Sequence, residues 1–275
     1  MKAEKDKKLL SWELPEPLWE ALSKLIPEKE SKMGRPIEVY FPKILAGIFY
    51  VLRTGIQWQA IPREMFGPPS TVYYYFSLWC RGGIFEKMWT KALEVYDDLK
   101  GLEWMWQSVD GAMTKAPLGG EATGPNPTDR SKSGTKRSLL TEGKGIPIAI
   151  VPDRANRNDM KLLASTLGSI VVERPEPTEE YPQHLCLDKG YDYKVCHQEA
   201  MDYRYIPHIR SRGEEKEAKK KNPDNKPRRW VVEVTHSWLN RFRKILVRFE
   251  KKVECYLGLL QLACAYIVFK RAETF

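Results

Sequence analysis

The order of the secondary structure elements predicted from residue 102 onward constrains the fold more than any other feature of this sequence. Short apolar segments of strand length alternate with segments in which apolar residues recur every three or four positions. The predicted order is a strand, a hairpin, a helix, a strand, a helix, a strand and a final helix. This alternation indicates a mixed α/β layout in which helices pack on a sheet.

Two of the predicted strands carry an aspartate where they end. The segment "LEWMWQSVDGAM" is predicted to form the first strand, with Asp110 at its end, and "QHLCLDKGYD" to form a buried strand that ends at Asp188. The segment "SLLTEGKGIPIAIV" is predicted to be the hairpin, and Asn158 is predicted to cap the following helix. A carboxylate at the end of a strand contributes little to packing, so both aspartates are candidates for a function.

The first part of the chain has a different character, because residues 12–100 are predicted to be helical throughout. "FPKILAGIFYVLRTG" forms one helix, with Gly55 just past its end. Ser70 or Thr71 is the predicted N-cap of the next long helix, and a further helix follows "RGG". A short helix, a turn and a second helix fit a helix-turn-helix, and they equally fit an ordinary helical bundle with aromatic packing.

Composition narrows the classes of protein and of partner. The formal net charge of +9 favours a polyanionic partner such as nucleic acid. The five cysteines form no C-x-x-C pair, which argues against a disulfide framework or a thiolate zinc site and fits the cytoplasm. The apolar stretch 255–269 is too short to span a bilayer, so it is predicted to be a buried helix and no membrane partner is expected.

The helix predicted to begin near Trp230 carries a third carboxylate, and the charged residues 210–229 before it are predicted to form an exposed loop. Glu233 lies on the polar edge of this helix, close to its start. At about 100° per residue, one broad apolar face is predicted to hold the helix against the sheet. That face consists of Val234, Trp238, Phe242, Ile245, Leu246 and Phe249.

Asp110, Asp188 and Glu233 each lie at the end of a predicted element, far apart along the chain. If the fold brings them together, their charges repel unless a divalent cation neutralises them. A ligand set made only of carboxylate oxygens suits Mg²⁺ or Mn²⁺ rather than Zn²⁺. Taken singly, each residue is more readily explained as a solvated surface charge or a helix cap.

Four segments together resemble the DDE transposases of bacterial insertion sequences, most closely the family named for the fifth insertion sequence. These segments are "VDGAMTKAPLGGEATGPNPTDRSKSGTKRSLLTEGKGIPIAIV", "NRNDMKLLASTL", "LDKGYD" and "RRWVVEVTHSWLNRFRKILVRFE". The resemblance runs from about Arg35 to Glu250. It implies a ribonuclease-H-like catalytic domain, a mixed sheet with flanking helices, in which Asp110, Asp188 (rather than Asp192) and Glu233 hold Mg²⁺, with Mn²⁺ able to substitute.

The resemblance also implies an organisation and a function. Residues 1–100 would form a helical domain for DNA recognition or assembly, and residues 101–275 the catalytic domain. The protein would cleave the terminal inverted repeats of a mobile element in double-stranded DNA and transfer the 3′-hydroxyl strands to target DNA. It would act as a homodimer or larger assembly on DNA, associated with the nucleoid. Two alternatives are an inactive repressor derived from a transposase and a nuclease without strand transfer.

The basic residues around the three carboxylates are the candidates for DNA contacts. They are Arg130, Lys136, Arg137, Arg229, Arg241 and Lys244, with Trp230 as a stacking surface for a base. His208 and His236 could approach the phosphodiester, but a structural role with hydrogen-bonded rings explains either of them more readily.

One motif departs from the resemblance. Related families place a tyrosine, an arginine and a lysine around the glutamate. Here Arg229 matches the arginine, whereas Lys226 stands at the tyrosine position and Asn240 at the lysine position. Lys244, one helical turn further on, is the candidate substitute for the missing lysine.

Overall fold

The computed structural model describes residues 41–209 and 230–273, together with a few positions between 13 and 26. The first described part is helical, as predicted. Its helices are α1 (Phe41–Thr54), α2 (Arg63–Phe66), α3 (Pro69–Arg81) and α4 (Ile84–Lys100). The helix predicted within the first forty residues and the loop predicted at 210–229 lie largely or wholly outside the described residues.

The ends of these helices follow turn chemistry, with one correction. Gly55 follows α1 with a φ of 75°, a left-handed conformation that glycine adopts without strain. The N-cap predicted at Ser70 or Thr71 is wrong, because α3 already begins at Pro69, with Pro68 in the capping position. Proline suits the first helical position, since its missing N–H would have no partner within the helix anyway.

A mixed sheet forms the centre of the second part. Its strands are β1 (Trp106–Lys115), β2 (Gly124–Pro125), β3 (Ser133–Glu142), β4 (Pro147–Arg154), β5 (His184–Leu187) and β6 (Ile206–Ile209). The spatial order is β4-β3-β1-β5-β6, with the short β2 also paired to β3. β1, β3 and β4 pair antiparallel, whereas β1, β5 and β6 pair parallel. The predicted fold class, a ribonuclease-H-like mixed sheet with flanking helices, is therefore confirmed.

The first strand is longer than predicted, and this changes the position of Asp110. β1 continues to Lys115 because β3 is equally long and pairs with it as far as Gly134. Asp110 therefore lies in the middle of β1, opposite Leu139, and not at its end. Asp188, in contrast, follows β5 directly, as predicted.

Helices flank the sheet. Asn158 accepts a hydrogen bond from Met160 N and so caps the short helical turn that leads into α5 (Leu163–Leu167), as predicted. Next come α6 (Lys194–Asp202) and α7 (Trp230–Leu239). Two further helices close the chain, α8 (Arg243–Leu246) and α9 (Val253–Glu273).

The single long helix predicted from Trp230 is wrong, because α7 ends at Leu239. After it, three successive backbone N–H groups, starting at Asn240, bond to carbonyls three or four residues back, which tightens and ends the helix. The predicted apolar face is confirmed only in part, because its members Phe242 and Ile245 are buried but lie beyond the end of α7. Leu246 and Phe249 are 44% and 47% exposed, and α7 packs through other residues. Its buried residues are Val231, Val232, Thr235, His236 and Leu239.

α9 is the longest described helix and belongs to the core. The prediction that its apolar stretch is too short to span a bilayer is wrong, because α9 is long and apolar enough to cross one. The prediction of a buried helix is confirmed, because two thirds of its most apolar window is buried inside the protein. It packs on the N-terminal helices: the rings of Phe49 and Tyr266 lie 4.9 Å apart, and Gly258 faces Cys80 and Phe85. One apolar core therefore runs from α1 through the sheet to α9. The division at residue 100 stays a prediction.

Candidate active site

The register of β1 and β5 aligns Asp110 with Asp188. The last residue pair of this parallel ladder is Ser108 with Cys186, and each aspartate lies two residues beyond its member of that pair. Residues two apart in a strand project from the same face, and neighbouring strands lie about 4.8 Å apart. The two carboxylates therefore leave the sheet on one face from neighbouring positions.

Helix α7 brings Glu233 to the same place. Its His236 has Nε2 3.4 Å from the backbone oxygen of Asp110, and Thr235 donates a 2.6 Å hydrogen bond to the oxygen of Gly145. These contacts hold α7 across β1 and the hairpin. Glu233 lies one helical turn before His236, in the first turn of α7, and its side chain is exposed. It thus stands beside Asp110 at the positive end of the helix dipole.

The pKa of Asp110 reflects the proximity of the other carboxylates. Burial is the main cause that raises the pKa of Asp110 to about 6, and the nearby charges of Glu233, Asp188 and Asp159 act in the same direction. A hydrogen bond from Gly111 N–H opposes them and lowers this pKa. All three predicted carboxylates therefore share one electrostatic neighbourhood. Among the described residues, no three acidic, histidine or cysteine side chains already converge closely enough to enclose an ion.

Asp188 is fixed by the backbone that follows it. It is the N-cap of a helical turn at Lys189–Tyr191, and its Oδ1 accepts a 2.5 Å hydrogen bond from Lys189 N. Asp192, the rejected alternative in the same motif, has a side chain that is 57% exposed and lies 3.5 Å from Nε2 of His197.

Asp159 is a fourth carboxylate that sequence reasoning missed. It lies 2.9 Å from Nζ of Lys136, and its Oδ1 occupies the space that a Cβ at Gly111 would take. In the sequence it reads only as an acidic residue after the Asn158 cap, which is common at helix starts. Because Lys136 neutralises it, Asp159 is better suited to shaping the site than to holding a cation.

The predicted DNA contacts divide by exposure. Three of them are buried and engaged within the protein: Lys136 with Asp159, Arg137 with Asn240, and Lys244 with Glu250 at 3.3 Å. The structure offers these three no open surface, because Arg137 is 2% exposed and the two lysines 5%. Three others lie at the surface, namely Arg130, Arg241 and Trp230. Arg229 lies outside the described residues.

The two candidate histidines have structural surroundings. His236 is buried, and burial together with the nearby Arg137 lowers its pKa to about 3, so its ring is neutral at pH 7 and adds no positive charge beside the carboxylates. His208 lies 2.9 Å from a ring nitrogen of His184, and both rings pack on Trp106. Both histidines therefore have structural roles, His236 beside the backbone of Asp110 and His208 in a ring cluster with His184 and Trp106.

Two known protein families match this chain, one in each part. The family described as "Putative transposase of IS4/5 family" matches residues 14–89. The family described as "Transposase DDE domain" matches residues 107–268, which include Asp110, Asp188, Glu233 and most of the core of the sheet.

Two curated proteins of an insertion element are similar to parts of this chain. A "Putative transposase for insertion sequence element IS402" from Burkholderia cepacia is 34% identical over 152 residues, 53% of this chain and 67% of the relative. An "Insertion element IS402 uncharacterized 16.2 kDa protein" from the same organism is 28% identical over 117 residues, 42% of this chain and 77% of the relative.

Two solved structures, a Mos1 mariner paired end complex with Mn and a pre-cleavage Mos1 transpososome, align with 9% identity. The alignments cover 92% and 90% of this chain and 83% of each solved chain. Their TM-scores of 0.28 and 0.26 are too low to support an argument. The fold assignment rests on the order of the strands and on the family match.

Proposed function

The chain belongs to the DDE-domain transposases of the IS4/5 family, and on that premise we propose that it cleaves the ends of an insertion element and joins the freed 3′-hydroxyls to target DNA. The observation that carries this proposal is the charge environment of Asp110. Asp110 lies in the middle of a strand, close to the charges of Asp188 and Glu233. Burying a carboxylate beside two others lowers the stability of the fold, so its presence there indicates a function.

The three carboxylates fit a divalent cation by their chemistry. Asp110, Asp188 and Glu233 supply only oxygen donors, and the raised pKa of Asp110 reflects its burial and the negative charge gathered around it. We assign these three residues as the ligands of Mg²⁺ or Mn²⁺. When bound there, such an ion supplies activation of a hydroxyl nucleophile and stabilisation of the leaving oxygen of a phosphodiester.

The chain's own groups set the direction of the ligands. Gly111 N–H holds the Asp110 carboxylate, and Lys189 N–H holds that of Asp188. Both aspartates are thus held by backbone N–H groups, and Glu233 is positioned by the first turn of α7. Water and a DNA 3′-hydroxyl are nucleophiles of the same type, so one site can serve cleavage and joining in turn.

Cleavage of DNA that carries the element ends tests the proposal. The full chain is incubated with Mg²⁺, and nicked and joined products are separated on a denaturing gel. Asp110→Asn, Asp188→Asn and Glu233→Gln each abolish both products, and Asp192→Asn, an equal loss of charge at an exposed site, retains them. Undiminished cleavage by any one of the first three contradicts the assignment.

The same assay separates the two alternative functions. Binding to the inverted repeats that is indifferent to metal, with no nicks, indicates a repressor. Nicks without joined products indicate a nuclease that lacks strand transfer. Because two element ends must be handled together, we also propose that the chain acts as a dimer or larger assembly on DNA, which light scattering of the complex measures.

A further inference from the structure

A cavity of about 390 Å³ is lined by none of the three carboxylates. Its walls come from α1, from the end of α7 and the turn after it, and from the last turns of α9. Most of the side chains that line it are cationic or aromatic: Arg53, Trp238, Arg241, Phe242, Tyr266, Lys270 and Arg271. A cavity of this size accommodates a small ligand or one segment of a larger one.

The aromatic rings hold the guanidinium groups in place. Cζ of Arg271 lies 3.8 Å from the ring centre of Trp238, and Cζ of Arg53 lies 4.9 Å from that of Phe242. A guanidinium stacked on a ring uses its flat face, so the N–H groups along its edge can still bind an oxyanion. These contacts limit the freedom of the cations before any ligand arrives.

The positive charge of the cavity is only partly compensated. Lys270 lies 2.6 Å from Glu273, an exposed pair. Neither Arg241 nor Arg271 has a carboxylate within ion-pair distance in the part of the chain that the structure describes. Several cations held close together repel one another, and an anion in the cavity would relieve that repulsion.

We propose that this cavity binds a phosphate group of a DNA strand, at a site separate from the carboxylates. Arginine edges recognise phosphate with paired hydrogen bonds, and the aromatic walls suit the adjoining sugar or base. The proposal rests on the proposed function, which makes DNA the polyanion at hand. Nothing in the family match assigns Arg53, Trp238 or Arg271 to this role.

The position of the cavity indicates which stretch of DNA it would hold. Arg241 lies two residues past the end of α7, and Glu233 lies six residues before that end, on the order of 9 Å along the helix. At about 100° per residue, Trp238 points to the opposite side of α7 from Glu233. The phosphate group in the cavity is therefore a different one from the phosphodiester that reacts at the carboxylates.

Salt-dependent DNA binding by the full chain, in EDTA so that no cleavage occurs, tests this site. The affinity for a fluorescent duplex is measured by anisotropy over a range of NaCl concentrations. Arg241→Gln and Arg271→Gln are each expected to lower the slope of log K against log salt by about 0.9. The matched control is Lys91→Gln, which removes one charge from an exposed pair with Glu94 on α4. Cavity variants whose slopes equal that of Lys91→Gln overturn the proposal.

Trp238 gives a second readout, because it lines the cavity. DNA binding is expected to change the tryptophan emission of the protein, and the part of that change that comes from Trp238 is expected to be missing in Trp238→Phe. Inorganic phosphate and a mononucleotide are titrated as separate probes. If either saturates the change at micromolar concentration and DNA does not displace it, the cavity is a site for a small phosphate ester and the proposal for DNA fails.

These outcomes are independent of the cleavage assay. Binding in EDTA needs neither the metal nor the carboxylates, so a lowered slope with no cleavage products would contradict the proposed function alone. Normal cleavage with an unchanged slope would contradict the cavity alone. Both arginine variants are checked by circular dichroism, and Arg241→Lys, which keeps the charge without the paired donors, is expected to retain the wild-type slope with weaker binding.

Discussion

Nη2 of Arg137 donates a 2.9 Å hydrogen bond to Oδ1 of Asn240. Arg137 lies on β3, the strand next to that of Asp110, and Asn240 lies just past the end of α7, the helix that carries Glu233. The bond therefore joins the supports of two candidate metal ligands. It also explains a departure from the related signature, because a lysine at position 240 would set a second cation against Arg137.

The first prediction concerns this bond. Arg137 is almost fully buried, and its Nε and Nη1 have no hydrogen-bond partner among the described residues. Asn240→Ala would leave the whole guanidinium without a partner, so we expect it to lower the free energy of unfolding by about 1–3 kcal/mol. Urea denaturation measures the loss. Asn156→Ala, at an exposed asparagine, is the control, and equal stability of the two variants contradicts the prediction.

Gly111 supports a second prediction. A Cβ at this position would collide with the carboxylate of Asp159 and displace it from Lys136. Gly111→Ala is expected to cost about 1–3 kcal/mol of stability, as overpacking does elsewhere. Gly190→Ala is the matched control, because a Cβ there meets open space and its backbone has ordinary dihedral angles. Thermal unfolding compares the two, and a Gly111 variant as stable as the control would show that Asp159 yields freely.

The sequence predicted the positions that depend on local pattern. The position of Asp188 can be predicted because a short apolar strand ends directly before it. The role of Asn158 can be predicted because helix capping is a local hydrogen bond. The end of α7 cannot be predicted from the sequence, because apolar residues continue at helical spacing to Phe249. The helix ends at Leu239 although no glycine or proline stands there. The burial of Arg137 was equally hidden, because it lies in a polar, basic segment whose pairing with β1 and β4 is set by distant strands.

The third prediction is a pH dependence of stability that comes from Asp110. As pH rises from about 4, the carboxyl of the unfolded chain loses its proton first, at its ordinary pKa of 3.8, while the folded one keeps its proton up to about 6. Stability conferred by the protonated form is therefore present at low pH and lost across this window. At about 1.36 kcal/mol per pKa unit, the loss is at most about 3 kcal/mol.

Asp110→Asn removes the titrating group and keeps its shape, so it isolates that effect. In EDTA at pH 7.5 the variant should be more stable than the wild type, and the difference should shrink towards pH 4. Urea midpoints between pH 4 and 8 provide the measurement. Asp192→Asn, at an exposed carboxylate, should show no such trend. A wild type that is more stable than Asp110→Asn at pH 7.5 would refute the prediction.

The fourth prediction uses the metal itself, without DNA. Three carboxylates in one neighbourhood repel one another, and a cation that they bind in the folded state stabilises that state by mass action, about 2.7 kcal/mol at one hundred times its dissociation constant. Adding Mg²⁺ at pH 7.5 should raise the melting temperature of the wild type and of Asp192→Asn. It should leave those of Asp110→Asn and Glu233→Gln almost unchanged, because each has lost a ligand. Differential scanning fluorimetry with Ca²⁺ and NaCl of equal ionic strength separates ligation from screening. An equal rise in all four proteins would mean that Mg²⁺ acts elsewhere on the surface and that the three carboxylates do not form its site.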